Sequence, residues 1–195
     1  ASGSGGGLFI GDGGEASFTG QTEFVENHAK VSGGAVVSAL DSAMDDVAAS
    51  ISVNGSVLFF NNSCQNYGGA IMVSGPVSLA FWSEDVQFEG NTAELAGGAV
   101  CLTGIGTGPT FRRANFASNS AQIGGAVYST GSGTLISITG EEYPVTYVDC
   151  TFTGNTATAS GGAVESAAGK DFFTNSTFVS NLAGQGGAMT LAGSV

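Results

Sequence analysis

Residues 88–100 read Phe-Glu-Gly-Asn-Thr-Ala-Glu-Leu-Ala-Gly-Gly-Ala-Val. A phenylalanine, an asparagine three positions on, and a glycine pair followed by Ala and an aliphatic residue make one unit, and this unit recurs along the chain. The Phe and Asn positions are Phe24 and Asn27, Phe59 and Asn62, Phe88 and Asn91, Phe116 and Asn119, Phe152 and Asn155, and Phe178 and Asn181. The glycine pairs are Gly33-Gly34, Gly68-Gly69, Gly97-Gly98, Gly124-Gly125, Gly161-Gly162 and Gly186-Gly187, and a degenerate copy, Gly6-Gly7-Leu8-Phe9, precedes them. Successive glycine pairs lie 25 to 37 residues apart, whereas spacing within the motif hardly varies, so length variation belongs to loops.

Between a glycine pair and the next Phe lies another apolar stretch: Ile51-Ser52-Val53, Val77 to Phe81, Thr110-Phe111, Leu135 to Ile138, or Phe172-Phe173. Polar corners follow, such as Asn54-Gly55-Ser56, Ser83-Glu84-Asp85 and Thr174-Asn175-Ser176. This predicts three short strands per unit. Helices are disfavoured by the glycine content and by the lack of a 3.6-residue apolar face. Repeated strands without an intervening helix predict an all-β fold, a right-handed parallel β-helix of about six coils. Each coil completes its core against neighbours about 4.8 Å away, and the hand follows from the crossover rule. The Phe residues are expected to stack inward as a ladder. The Asn residues are expected to take the left-handed backbone of a tight corner and to hydrogen-bond along the stack. Gly-Gly supplies a corner where a Cβ would clash. Residues 1–195 read as one β-helix segment, and the lack of polar caps predicts a piece of a longer solenoid. Outward loops are expected near 40–49 and 141–149.

These motifs resemble the polymorphic outer membrane protein repeat of bacterial cell-surface proteins, best known from chlamydial surface proteins. Five of six glycine motifs match its Gly-Gly-Ala-[Ile/Leu/Val] pattern; Gly186-Gly187-Ala188-Met189 departs at its last position. The resemblance implies a secreted, surface-displayed solenoid similar to autotransporter passengers, with both motifs implicated in adhesion to host cells. Similar repeats occur in large extracellular proteins of algae and other protists.

Composition narrows the chemistry. Of 195 residues, 33 are Gly, charged residues make up only 10%, and four basic residues face 16 acidic ones for a net charge of −12. So few cations cannot neutralise a row of phosphates, which argues against nucleic acid. The apolar content argues against disorder. No apolar run approaches the roughly 18 residues of a membrane helix, so membrane contact is expected only through segments outside this chain.

Glycoside hydrolysis would need two facing carboxyls. The acidic clusters Asp41 with Asp45-Asp46, Glu84-Asp85 and Glu141-Glu142 fall in loops or corners of different coils, where solvation explains them. Asp41, Asp45 and Asp46 match no calcium-loop spacing. His28, the only histidine, lies near no nucleophile motif. Arg112-Arg113 reads as a surface corner able to dock a carboxylate. Cys64, Cys101 and Cys150 have no metal-site spacing, and at most one disulfide can form among them. Asn54, Asn61 and Asn175 open N-glycosylation sequons, usable in a eukaryotic secretory pathway. The leading expectation is a non-enzymatic extracellular adhesive or scaffolding surface without cofactor or metal. Its partners would be a host-cell or cell-surface protein or glycan, or further copies of itself. The alternatives are a filament or surface-layer subunit assembled by end-to-end stacking, and a polysaccharide-active β-helix enzyme.

Overall fold

The computed structural model describes residues 3–11, 13–39, 49–75, 78–81, 85–103, 108–130, 144–167 and 170–192. Every strand pairing is parallel and joins a strand to its counterpart one repeat away, and no helix occurs among the described residues. The chain therefore winds as a parallel β-helix.

Each turn passes four strand positions. Sheet I holds Leu8–Ile10, Val36–Ala39, Ile71–Ser74, Val100–Thr103, Val127–Ser129, Val164–Ser166 and Met189–Leu191. Sheet II comes in two pieces, Glu15–Phe18, Ser50–Val53 and Ser78–Phe81, then Thr110–Arg112, Thr146–Val148 and Phe172–Thr174. Sheet III holds Gln21–Val25, Ser56–Phe60, Val86–Glu89, Asn115–Ala117, Thr151–Thr153 and Thr177–Val179. Sheet IV is short: His28–Ala29, Ser63–Cys64, Thr92–Ala93, Ser120–Ile123 and Thr156–Ser160. The three strands expected per coil are sheets I, II and III. The fourth is the short run between the Asn and the glycine pair, too brief and too polar on its outer side to announce itself as a strand.

Alternation sorts the residues. Ile71, Val73, Val100, Leu102, Val127 and Val164 of sheet I, together with Val57, Phe59, Val86, Phe88, Phe116 and Phe152 of sheet III, fill one continuous core. A second, smaller core of Ala29, Cys64, Ala93 and Ala121 lies along sheet IV. Small side chains suit it, since this wall bends sharply into the next glycine pair.

One loop expectation fails in part. Residues 146–148, placed in the outward loop at 141–149, form a sheet II strand in register with Thr110–Arg112 and Phe172–Thr174. Tyr147 is fully buried there, so core packing wins over the polar flank. Ala49, at the edge of the other expected loop, is also fully buried. Residues 40–48 and 141–143 lie outside the described residues, as do Asp41, Asp45, Asp46, Glu84, Glu141, Glu142 and the expected strand at 135–138.

Candidate functional site

The repeated motif faces inward. Phe24, Phe59, Phe88, Phe116, Phe152 and Phe178 form one stack with centroid spacings of 5.1, 4.9, 4.8, 4.8 and 4.7 Å and planes within 5° of parallel. Strand spacing imposes that geometry, because residues in register in a parallel sheet recur every 4.7–4.9 Å. Phe59, Phe88, Phe116 and Phe152 expose nothing to solvent.

A second stack runs along sheet II. Phe81 lies 4.4 Å from Phe111, Phe111 5.5 Å from Tyr147, and Tyr147 4.7 Å from Phe173. Its rings meet the first stack edge-on, as Phe111 meets Phe116 at 5.5 Å and 73°. That arrangement suits the ring quadrupole, whose positive edge approaches a negative face. Counting back five residues from Phe116, Phe152 and Phe178 lands on Phe111, Tyr147 and Phe173, a signal in the sequence that reveals this ladder.

The motif asparagines form a buried chain of amides. The Asn91 side-chain nitrogen donates to Asn119 Oδ1 at 3.0 Å and to the Phe59 carbonyl at 2.9 Å, and the Asn91 backbone N–H donates to the same Asn119 oxygen at 2.9 Å. The pattern repeats from Asn27 through Asn62, Asn91, Asn119 and Asn155 to Asn181. Asn62, Asn91, Asn119 and Asn155 are completely buried. Stacking along the coils is thus as expected, but the corner conformation is not. The left-handed residue is the one before the Asn: Glu26, Asn61, Gly90, Ser118, Gly154 and Ser180 all have φ between 52 and 65°. Each Asn is constant because its amide satisfies three partners at once, not because it tolerates that backbone region.

The glycine pair splits into two tasks. Gly97 has φ +66°, which a side chain disfavours. Gly98 lies outside the left-handed region, but a Cβ on it would run into the carbonyl oxygen of Gly125 and stand 2.6 Å from the Ser120 backbone nitrogen. Gly34, Gly69, Gly125 and Gly162 meet the next coil in the same way.

The groups that face solvent are the ones the motif leaves unspecified. Sheet III presents two outward rows, Glu23, Leu58, Gln87, Asn115, Thr151 and Thr177, and Val25, Phe60, Glu89, Ala117, Thr153 and Val179. Sheet IV adds His28, Ser63, Thr92, Ser120 and Thr156. Within that row His28 Nδ1 lies 3.0 Å from Ser63 Oγ, and the Thr92 and Ser120 hydroxyls are 3.2 Å apart. His28 is exposed, as are both Arg112 and Arg113, the latter at a left-handed corner with φ 48°. Asp85 is exposed and hydrogen-bonded by Ser56 at 2.7 Å and Gln87 at 3.1 Å, which hold its carboxyl below the usual range. The sequon residues Asn54, Asn61 and Asn175 are exposed, Asn61 and Asn175 at left-handed corners.

Other titratable groups are interior. Cys64, Cys101 and Cys150 are free and buried. Burial pushes the Cys64 and Cys150 thiols up to about 11 and Cys101 higher still, so these sulfurs are poor nucleophiles. Among the described residues Asp171 is the one carboxyl with a raised pKa, and sequence reasoning did not single it out. No group of three or more His, Cys, Asp or Glu able to hold a metal occurs among the described residues.

Three segments, 56–74, 85–103 and 149–167, match the Chlamydia polymorphic membrane protein (Chlamydia_PMP) repeat. Each spans one sheet III strand, the Asn corner, sheet IV, the glycine pair and the sheet I strand beyond it. The expected resemblance thus rests on three copies of the family's own repeat. No curated protein and no solved structure matches the chain.

Proposed function

We propose that this chain, which carries the Chlamydia polymorphic membrane protein repeat, is part of a cell-surface solenoid that works by contact rather than catalysis. The family points to the surface of an outer membrane. The observation that carries the reading is the division between inner and outer rows. The motif is spent on stacking and amide hydrogen bonds, while the side chains at equivalent outward positions differ from coil to coil. A frame that fixes its interior and leaves its exterior free is suited to displaying a recognition surface on loops and strands. The partner on this reading is a host-cell or cell-surface protein or glycan.

The motif residues then support adhesion through the fold. Phe88 and Asn91 cannot touch a receptor while they remain fully buried. Binding of the fluorescently labelled chain to cultured host cells is expected to saturate. Triple substitution of Gln87, Asn115 and Thr151 by Ala is expected to weaken it without moving the melting temperature. Adsorption that rises linearly with concentration, competed by nothing, would overturn the reading, and turnover of a polysaccharide would replace it with an enzymatic one.

A further inference from the structure

Asp171 stands where other coils place Ala49, Pro109 or Val145, at the inner corner between sheets I and II. Its Oδ1 accepts the Val145 N–H at 3.2 Å, and the Ser129 hydroxyl reaches Oδ2 at a long 3.5 Å. Ser166, one coil below Ser129 in the same inward row, is fully buried; its hydroxyl has no partner in good hydrogen-bond geometry among the described residues, yet it stands close enough to the Asp171 carboxyl to favour the ionised form. The Tyr147 hydroxyl likewise has no such partner among the described residues, and the Asp171 charge acts upon it. Hydroxyls rotate, so each can donate or accept as the carboxyl demands.

We propose that Asp171 is a proton-operated latch on this corner. The carboxylic acid takes a proton from solvent, keeps it, and donates an O–H hydrogen bond to one of the three hydroxyls while still accepting the Val145 N–H, and so closes the corner. The carboxylate can still accept from the Val145 N–H and the hydroxyls, but its charge is poorly solvated at this corner, and that cost loosens the corner. This reading is independent of what the outer surface binds.

The surroundings give the sign. Burial pushes the Asp171 carboxyl up to about 6, against the lesser pull of the Val145 N–H and the Ser166 and Ser129 hydroxyls. Among the described residues Tyr147 is the titratable group that feels the Asp171 charge, and burial holds it neutral; Cys150 acts on Tyr147 as well. Glu165 and Tyr128 occupy the outward row of the sheet I strands, and Lys170, next in the chain, is exposed. A pKa above the ordinary 3.8 means that the folded chain holds the proton more tightly than the unfolded chain. Stability from this group is complete below about pH 4, falls as pH rises, and is lost above about pH 6. A surface solenoid with this latch tightens in a mildly acidic medium.

The test compares the chain with Asp171→Asn, which keeps the shape but cannot ionise. The unfolding constant of the natural chain relative to the variant is expected to rise about sevenfold between pH 4.5 and 5.5 and to level off above pH 7. Parallel profiles would overturn the proposal. Carbon-13 NMR of the Asp171 carboxyl in the natural chain is expected to titrate near pH 6, and a midpoint at or below 4 would overturn it without any variant. Amide exchange, corrected for its intrinsic pH dependence, is expected to quicken at Val145 and Phe172 above pH 6 while Phe88 stays protected. Uniform protection at all three would reduce Asp171 to a buried acid without a latch.

Discussion

The two sides of the solenoid's cross-section are built to different tolerances. Where sheet III turns through sheet IV into sheet I, every coil carries Phe, Asn and Gly-Gly, and each is fixed by an atom one coil away. Where sheet I turns into sheet II, one coil offers Val53 and the next Phe81, Tyr147 fills a later one, Asp171 sits among hydroxyls, and coil length varies. The difference is one of directionality. Dispersion and burial accept any apolar shape that fills the space, whereas an amide ladder and a backbone-to-backbone approach accept only one geometry. The repeat is constant where the physics is directional.

The strict side can be broken most sharply at the second glycine. In Gly98→Ala the new methyl would meet the backbone of Gly125 and Ser120, and neither can retreat without breaking the ladder of the following coil. The expected loss is about 5 kcal/mol or more, in the exceptional class for one methyl group. Denaturant unfolding followed by circular dichroism checks it, with Gly20→Ala as control. Gly20, unlike Gly98, has positive φ (+71°), and nothing lies within 4 Å of its missing Cβ, so only about 1–2 kcal/mol of backbone strain is expected. Equal losses would mean that meeting the next coil costs Gly98 no more than one unfavourable dihedral, and that coil-to-coil contact is not what fixes the second glycine.

The ladders give the next contrast. Phe88 stacks between Phe59 and Phe116, whereas Phe81 stacks on Phe111 on one side and has Val53 in register on the other. Phe88→Ala is expected to cost about 3–5 kcal/mol as a large-to-small change in a core without exposure. Phe88→Leu is expected to cost about 1–3 kcal/mol more than Phe81→Leu, because Phe88 takes part in four ring pairs, two stacked and two edge-on, and Phe81 in two. Identical losses by chemical denaturation would show that stacking adds nothing beyond burial.

How much of this was legible follows from the same division. Phe, Asn and Gly-Gly could be read because directional constraints repeat at fixed spacing, and they led to the fold. Tyr147 was missed because a pattern that tolerates Val, Phe or Tyr carries little signal, and the stretch Glu141-Glu142 ahead of it looks like a solvated loop. Asp171 was invisible for a related reason. A single acid before Phe172-Phe173 looks like the end of a loop, and only the path of the chain brings Ser129, Ser166 and Tyr147 to it. The left-handed corner was assigned one residue late, since Asn both favours that conformation and serves as a hydrogen-bond hub, and sequence alone does not separate the two roles.

That misassignment suggests the smallest and most discriminating test. The corner residue before the Asn is Gly in two coils, Asn in one, and Glu or Ser in the others, so the position demands a left-handed backbone and nothing more. Ser118 has φ 55° and is exposed, and the equivalent Gly154 has φ 63° with only the Ser118 hydroxyl, 3.8 Å away, near its missing Cβ. Ser118→Gly removes the strain of an L side chain in that region, worth about 1–2 kcal/mol, and adds chain entropy to the unfolded state that offsets about 0.5–1. The expected outcome is a gain of up to about 1.5 kcal/mol, read as a higher denaturant midpoint with an unchanged slope. Asn119→Gly, one residue on, is expected to lose several times that amount, because it orphans the Asn91 amide in the core. If instead Asn119→Gly were the tolerated change, the Asn itself would be the corner residue and the buried amide ladder would not be what keeps it constant.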